Sequence, residues 1–326
     1  MRHLLPLVLA VSAAAVAPSP RPPGAGRAAS PAVTLAVMRR DGVMVPFAQY
    51  DGRRWQNKWP TPFTRTDVPI SLSSVPKDWW GKVPAGTGWT LYPSAGDPRP
   101  VRITAPHLFS THCVANVGLR TDYRSSQALP LPFVHHHPKD GLVVAGDLQI
   151  EPIEALRTDM PAWDALLDQV TQHVDVIEAK AENEWAWQGT KDFFNRKNRA
   201  ATPASVEVIC RTPGITPGTF VHYFEAVRRY AVPKRRGQTA SDFTAFSVGF
   251  VLPGRPPSSA PDSGRCSGAF GDQANPEYLL PLGAFRVDGV LYWAVQWSAR
   301  GRERYAVLGI GQKKVTEVIG VAGGGC

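Results

Sequence analysis

The chain has 326 residues, 43% of them hydrophobic, with ten tryptophans, so it can bury a core and intrinsic disorder is not its default state. Only 19% of residues are charged, and 36 Lys and Arg against 27 Asp and Glu leave a formal net charge of +9. That excess suits an anionic envelope polymer, but no basic helix or aromatic-interleaved motif accompanies it, which argues against nucleic acid as a partner.

The chain opens on a short basic segment, Met1-Arg2-His3, followed by an apolar run from Leu4 to Val11. Ala13-Ala14-Ala15 and Ala15-Val16-Ala17 are cleavage triplets of the small-residue kind, and Pro18 disfavours the second. Pro18 to Pro31 is a Pro/Ala/Gly/Arg stretch that reads as a linker. Residues 1–30 are therefore expected to be a signal peptide plus linker, and the protein to be exported, periplasmic or extracellular. No run of about 18 apolar residues follows, so no transmembrane helix is expected after signal removal.

Strand signals dominate what comes next. Val33 to Arg39 and Val43 to Tyr50 flank Asp41-Gly42, and Asp51-Gly52 ends the second run, which predicts a meander. Trp55 to Pro106 is rich in Pro, Gly and Trp, with short strands at Trp89–Tyr92 and Val101–Thr104. Cys113–Leu119 and Leu142–Ile150 read as further strands. Trp163, Leu166, Val170, Val174, Ile177, Ala181 and Trp185 recur at helical spacing, so one long amphipathic helix is predicted at about 160–187, with Pro161 in its first turn. Lys191 to Pro203 reads as a basic loop. Strands resume at Val206–Cys210, Phe220–Tyr230, Phe243–Leu252, Tyr278–Val287, Val290–Ser298, Arg304–Ile310 and Val315–Val321, with a tight Asp288-Gly289 hairpin.

The predicted fold is mainly β, in antiparallel sheets and meanders, with one long helix; by count it is α+β. It divides into a β-rich part with Trp-rich loops (31–155), the helix and basic loop (156–200), and an antiparallel β part (201–326) that can form one body with the first. The pattern Arg39-x-Asp41-Gly42-Val43 with Gln49-Tyr50 is echoed by Arg286-x-Asp288-Gly289-Val290 with Gln296-Trp297. Similar Asp-Gly hairpins explain that echo more simply than duplication does.

Four cysteines suit an oxidising compartment, and none forms a CxxC. Cys326 follows Gly323-Gly324-Gly325, a tail that a disulfide would clamp, so Cys266–Cys326 and Cys113–Cys210 are the expected bridges.

Trp55, Trp59, Trp79, Trp80 and Trp89 crowd a turn-rich segment, where exposed aromatic faces would stack on a glycan and buried ones would serve as core filler. His135 and His137 share a face of an extended chain and could join His107 or His112 in a metal site, yet no known ligand spacing supports it and no metal is expected. The helix carries an acidic stripe, Asp164, Asp168, Asp175, Glu178 and Glu182, expected to face solvent or the protein's own Arg228-Arg229 and Lys234-Arg235-Arg236. Glu225 alternates with Tyr223 and Val227, which puts a carboxylate among apolar neighbours, with Asp147 or Glu151 as candidate second carboxylates.

No nucleophile motif, phosphate loop or cofactor motif is present, and no cofactor is expected. The functional expectation is a non-catalytic envelope or secreted binding or structural protein, contacting glycan through loop tryptophans. The alternatives are a secreted glycan hydrolase using Glu225 with Asp147 or Glu151, and an envelope scaffold for other proteins.

Overall fold

Alternating hydrophobic positions here make strands with one buried face, and uninterrupted apolar runs make strands buried on both. The computed structural model describes residues 32–57, 88–94, 96–111, 114–125, 139–185, 190–232, 242–260, 267–270, 277–299 and 301–325. The expected leader and linker (1–30), Trp59, Trp79, Trp80, His112, His135, His137, Cys113, Cys266, Cys326 and the basic cluster at 234–236 lie outside these residues.

From the N-terminal side the elements are β1 (Val33–Arg39), β2 (Val43–Tyr50), β3 (Trp55–Asn57), β4 (Trp89–Pro93), β5 (Arg99–Val101), β6 (Ile103–Thr111), β7 (Val114–Thr121) and β8 (Lys139–Ala145). Next come β9 (Ile150–Glu151), β10 (Glu154–Ala155), α1 (Pro161–Trp185), a 3-10 turn at Thr190–Asp192 and α2 (Arg196–Ala201). The remainder is strand: β11 (Ser205–Pro213), β12 (Phe220–Ala231), β13 (Asp242–Val251), β14 (Ser258–Ser259), β15 (Ser267–Phe270), β16 (Tyr278–Val287), β17 (Val290–Ala299), β18 (Arg302–Ile310) and β19 (Val315–Gly325). The fold is mostly antiparallel β with one long helix, α+β by count.

Three sheets result. The first has the order β5-β4-β8-β1-β2-β7-β6 with β3 added on β2, the central one β19-β18-β17-β16-β9, and the third β10-β11-β12-β13-β14 with β15 on β13. The first sheet curls on itself. Trp89 and Leu91, Val101, Val143, Ala36 and Met38, Met44, Leu119 and Ile103 come from seven of its strands, yet form one apolar cluster. Arg99 on β5 lies over the ring of Tyr123 just beyond β7, 4.5 Å away, bringing opposite edges of the sheet together.

The central sheet is covered on both sides, which explains its apolar runs. On β17, Leu291, Trp293, Val295 and Trp297 pack toward the third sheet with Tyr223, Phe246 and Phe250. On the other face Phe285, Ala294, Tyr305 and Val307 join Leu35, Val37, Val45 and Phe47 of the first sheet. Helix α1 then covers the outer face of the third sheet, with Trp163, Leu166, Val170 and Val174 against Ile209, Phe224, Ala226 and Val251. Each such side chain contributes about 1.5–3 kcal/mol of transfer free energy, set against the entropy of ordering it.

The two echoed hairpins use different turns. Asp288 and Gly289 both have positive φ, 52° and 78°, a two-residue turn between Val287 and Val290. In the other, only Gly42 is positive, at 78°, and its N–H donates to Arg39 O across 3.0 Å. Dissimilar turns favour the simpler explanation of the echo.

Some expectations need correction. The predicted loop at 191–203 contains the 3-10 turn and α2, which Asn195 caps by accepting the N–H of Asn198. The glycine tail belongs to β19, where Glu303 pairs with Gly324 and Arg302 with Gly325. A strand ladder therefore holds it, and glycine is required because a Cβ on Gly323 would lie 2.8 Å from the Tyr305 ring. Cys210 is a free thiol buried between the third and central sheets, and Cys113, its expected partner, lies outside the described residues. Burial pushes the Cys210 pKa well up, and a thiol so protected behaves as a small hydrophobe.

Candidate functional site: an apolar groove beside the long helix

On α1, residues 166, 169, 173 and 176 fall on one side at steps of three and four. That side faces the end of the third sheet where β12 begins and β13 finishes. Leu166, Gln169, Gln172, His173 and Val176 form one wall of a groove of about 760 Å³. Phe220, His222, Val251 and Leu252 form its floor, and the Pro253–Pro257 turn its far rim. The alternation of β12 puts Phe220 and His222 on the same face. Three prolines in the rim stiffen a turn whose Gly254 has φ +64° and whose Arg255 N–H donates to Leu252 O at 3.0 Å.

Two features set this groove apart from the rest of the described surface. Five large hydrophobic side chains are exposed among the described residues, and two of them, Val176 at 53% and Phe220 at 37%, line it. Exposed apolar surface gathered in a concavity, rather than scattered, indicates binding. The two histidines that line it, beside Arg255 on the rim, are also uncharged at neutral pH. Burial, reinforced by the Arg211 guanidinium, pushes the His222 imidazole from 6.5 down to about 4. His173 is lowered by burial and then by Lys180, stands edge-on to Phe224 at 6.0 Å, and has a buried Nε2 with no hydrogen-bond partner among the described residues.

The depressed His222 pKa has a measurable consequence. The unfolded chain takes up a proton near pH 6.5 that the folded groove refuses until about pH 4. Its contribution to stability is therefore complete above about pH 6.5 and is lost as pH falls through about 4. Urea midpoints followed from neutral to acid pH should fall less steeply in His222→Gln than in the wild type. Parallel profiles would show that His222 does not titrate this way.

The residues singled out from sequence fare differently. Trp89 is 1% exposed inside the curled first sheet and offers no face to a ligand. Trp55 is half-buried and packs against Tyr50, Phe285 and Tyr292, with centroids 5.4, 5.7 and 5.6 Å away. Both fill cores, because a turn-rich segment with few aliphatics uses its tryptophans for packing. His107 has the Arg120 guanidinium 3.0 Å from its ring nitrogens, which disfavours a cation there. Among the described residues no group of three His, Cys, Asp or Glu side chains is placed to hold a metal ion.

Glu225 does lie among apolar neighbours, but it is sealed. Its Oε1 accepts from the Tyr223 hydroxyl at 2.8 Å and the Leu279 N–H at 3.1 Å, between the third and central sheets. Glu151 pairs with Ala284 and binds Arg286 Nε at 3.3 Å. Leu279 and Ala284 are five residues apart on β16, roughly 17 Å at strand rise, so the two carboxylates are not brought together. Asp147 is exposed beyond the end of β8. The acid–base pair expected of a hydrolase is absent from these positions.

The acidic stripe meets the protein's own arginines. Arg228 donates to Glu178 Oε2 and to Asp175 Oδ1, each at 2.6 Å, and Arg199 binds Glu182 at 2.7 Å. The groove itself went unmarked in the sequence. Its available signals were a histidine beside the helix's apolar stripe, a second within an apolar strand, and a Pro-Gly-Arg-Pro-Pro turn at 253–257.

No protein-family model, curated protein or solved structure matches this chain. No helix among the described residues is long and apolar enough to cross a membrane. Fold and groove together define a layered antiparallel β protein whose long helix borders an apolar cleft.

Proposed function

We propose that this chain is an exported, non-catalytic binding protein, and that the groove beside α1 takes an apolar or aromatic ligand. The observation that carries this is the convergence of Val176 and Phe220, both exposed, on one concavity whose histidines are neutral. Burying those two side chains under a ligand would contribute binding free energy at about 25 cal/mol per Å² of apolar surface. Support for export comes from the leader-like residues 1–30. Contact with a glycan would rest on Trp59, Trp79 and Trp80, since Trp55 and Trp89 are packed inside.

Titration with the apolar dye Nile red tests the reading. The wild type should bind with blue-shifted emission, and Val176→Asp and Phe220→Asp should each weaken binding by about tenfold or more. Val290→Asp, at an exposed hydrophobe outside the groove, should leave it unchanged. Equal binding by all four proteins would refute the groove as the site.

A further inference from the structure

Between the first and central sheets lies a polar cluster that the groove does not use. Lys139 opens β8, while Gln296 on β17 stands opposite Tyr305 on β18, and Ser298 opposite Glu303. All of these side chains are buried, Lys139 at 3% exposure. Lys139 Nζ donates to Glu303 Oε2 at 2.9 Å, and Gln296 Nε2 donates to the same oxygen at 3.3 Å. The Tyr305 hydroxyl donates to Glu303 Oε1, and the Tyr305 ring lies 5.7 Å from Lys139 Nζ, backed by Phe47.

An amine and a primary carboxamide thus meet at one buried carboxylate beside the Tyr305 ring. As an ion pair alone the arrangement gains little, since the cost of desolvating both charges offsets their attraction. As a reacting set each group has a role. We propose that Lys139 and Gln296 become joined by a side-chain amide bond, formed by the protein itself with Glu303 as the proton carrier.

The step balances without any oxidant or cofactor. Lys139 passes a proton to the Glu303 carboxylate along their 2.9 Å hydrogen bond, helped by the burial that lowers the lysine's pKa. The free amine attacks Cδ of Gln296 and a new C–N bond forms. Glu303 relays the second proton from the attacking nitrogen to the departing one, the old C–N bond breaks, and ammonia leaves, taking up the proton held by Glu303. One ammonium and one carboxamide become one amide and one ammonium ion. The amine and the leaving amide nitrogen both bind one Glu303 oxygen, and three strands hold the set, so folding gathers the groups that the reaction joins. The product ties the first sheet to the central sheet, a cross-link between residues 139 and 296 that needs no cysteine.

Mass spectrometry of the purified wild-type chain decides the matter. A tryptic digest should yield one branched peptide that joins the segments holding Lys139 and Gln296, lighter than the two by one ammonia, with no cleavage after Lys139. On a denaturing gel the looped wild type should run faster than Lys139→Met. Glu303→Gln should give the two separate, unshortened peptides. Linear peptides with cleavage after Lys139 in the wild type would overturn the proposal without recourse to any variant. A branched peptide persisting in Glu303→Gln would overturn the role given to Glu303.

Discussion

Replacing Arg228 with alanine is expected to destabilise the protein by about 3–5 kcal/mol, the cost of leaving a buried carboxylate without its cation. Arg228 and Glu178 are both buried where α1 crosses β12, joined at 2.6 Å. The Tyr230 hydroxyl donates to the same Glu178 oxygen at 2.7 Å and would be its main remaining partner. Burial already raises the Glu178 pKa, against the opposing pull of Tyr230 and Arg228. Without Arg228 it should rise further, so the carboxyl escapes the penalty by taking a proton. The loss should then be larger at neutral pH than at mildly acid pH, which urea denaturation at both values would show. Glu178→Met combined with Arg228→Met should recover most of the stability, because an apolar pair has no charge to strand. A loss for Arg228→Ala below about 1 kcal/mol at neutral pH would mean that water reaches Glu178.

Trp293→Ala should cost a comparable amount, about 3–5 kcal/mol, by opening a cavity between the central and third sheets. Trp293 is fully buried and meets Phe250 edge-on, with centroids 5.5 Å apart. Its Nε1 has no hydrogen-bond partner among the described residues, so the ring's contribution there is packing. Trp293→Phe should therefore lose less, about 1–2 kcal/mol, as the void it leaves is smaller. Urea midpoints for the two variants would separate cavity size from lost polar contact. Equal losses would show that the indole N–H has a partner after all, and near-zero losses that the two sheets do not depend on this ring.

Periodicity along the chain was enough to determine most of the long elements. β1, β2 and β16 occupy the spans that their apolar runs and Asp-Gly turns predicted, and α1 lies within two residues of its expected ends. Faces were legible for the same reason: Glu225 among Tyr223 and Val227, and the acidic stripe of α1 beside its apolar one. Such patterns are local, since strand and helix periods act over a few residues. Short elements escaped this reading. α2 is polar because it sits at the surface, so a cap at Asn195 marks it rather than a hydrophobic stripe.

What meets what was decided by sheet order, which joins residues far apart in the chain. Whether Trp89 faced solvent or a core depended on the curl of a whole sheet. Glu225 needed β16 beside it to be sealed, and Lys139 reaches Glu303 across 164 positions. The groove unites a helix at 166–176, the start of β12 and a turn at 253–257, three segments with no pattern in common. The sequence by itself determined secondary structure and the polarity of each face, because those are properties of near neighbours. The tertiary structure alone decided which faces close into cores and which are left open as a site, because burial is settled only when distant strands are stacked.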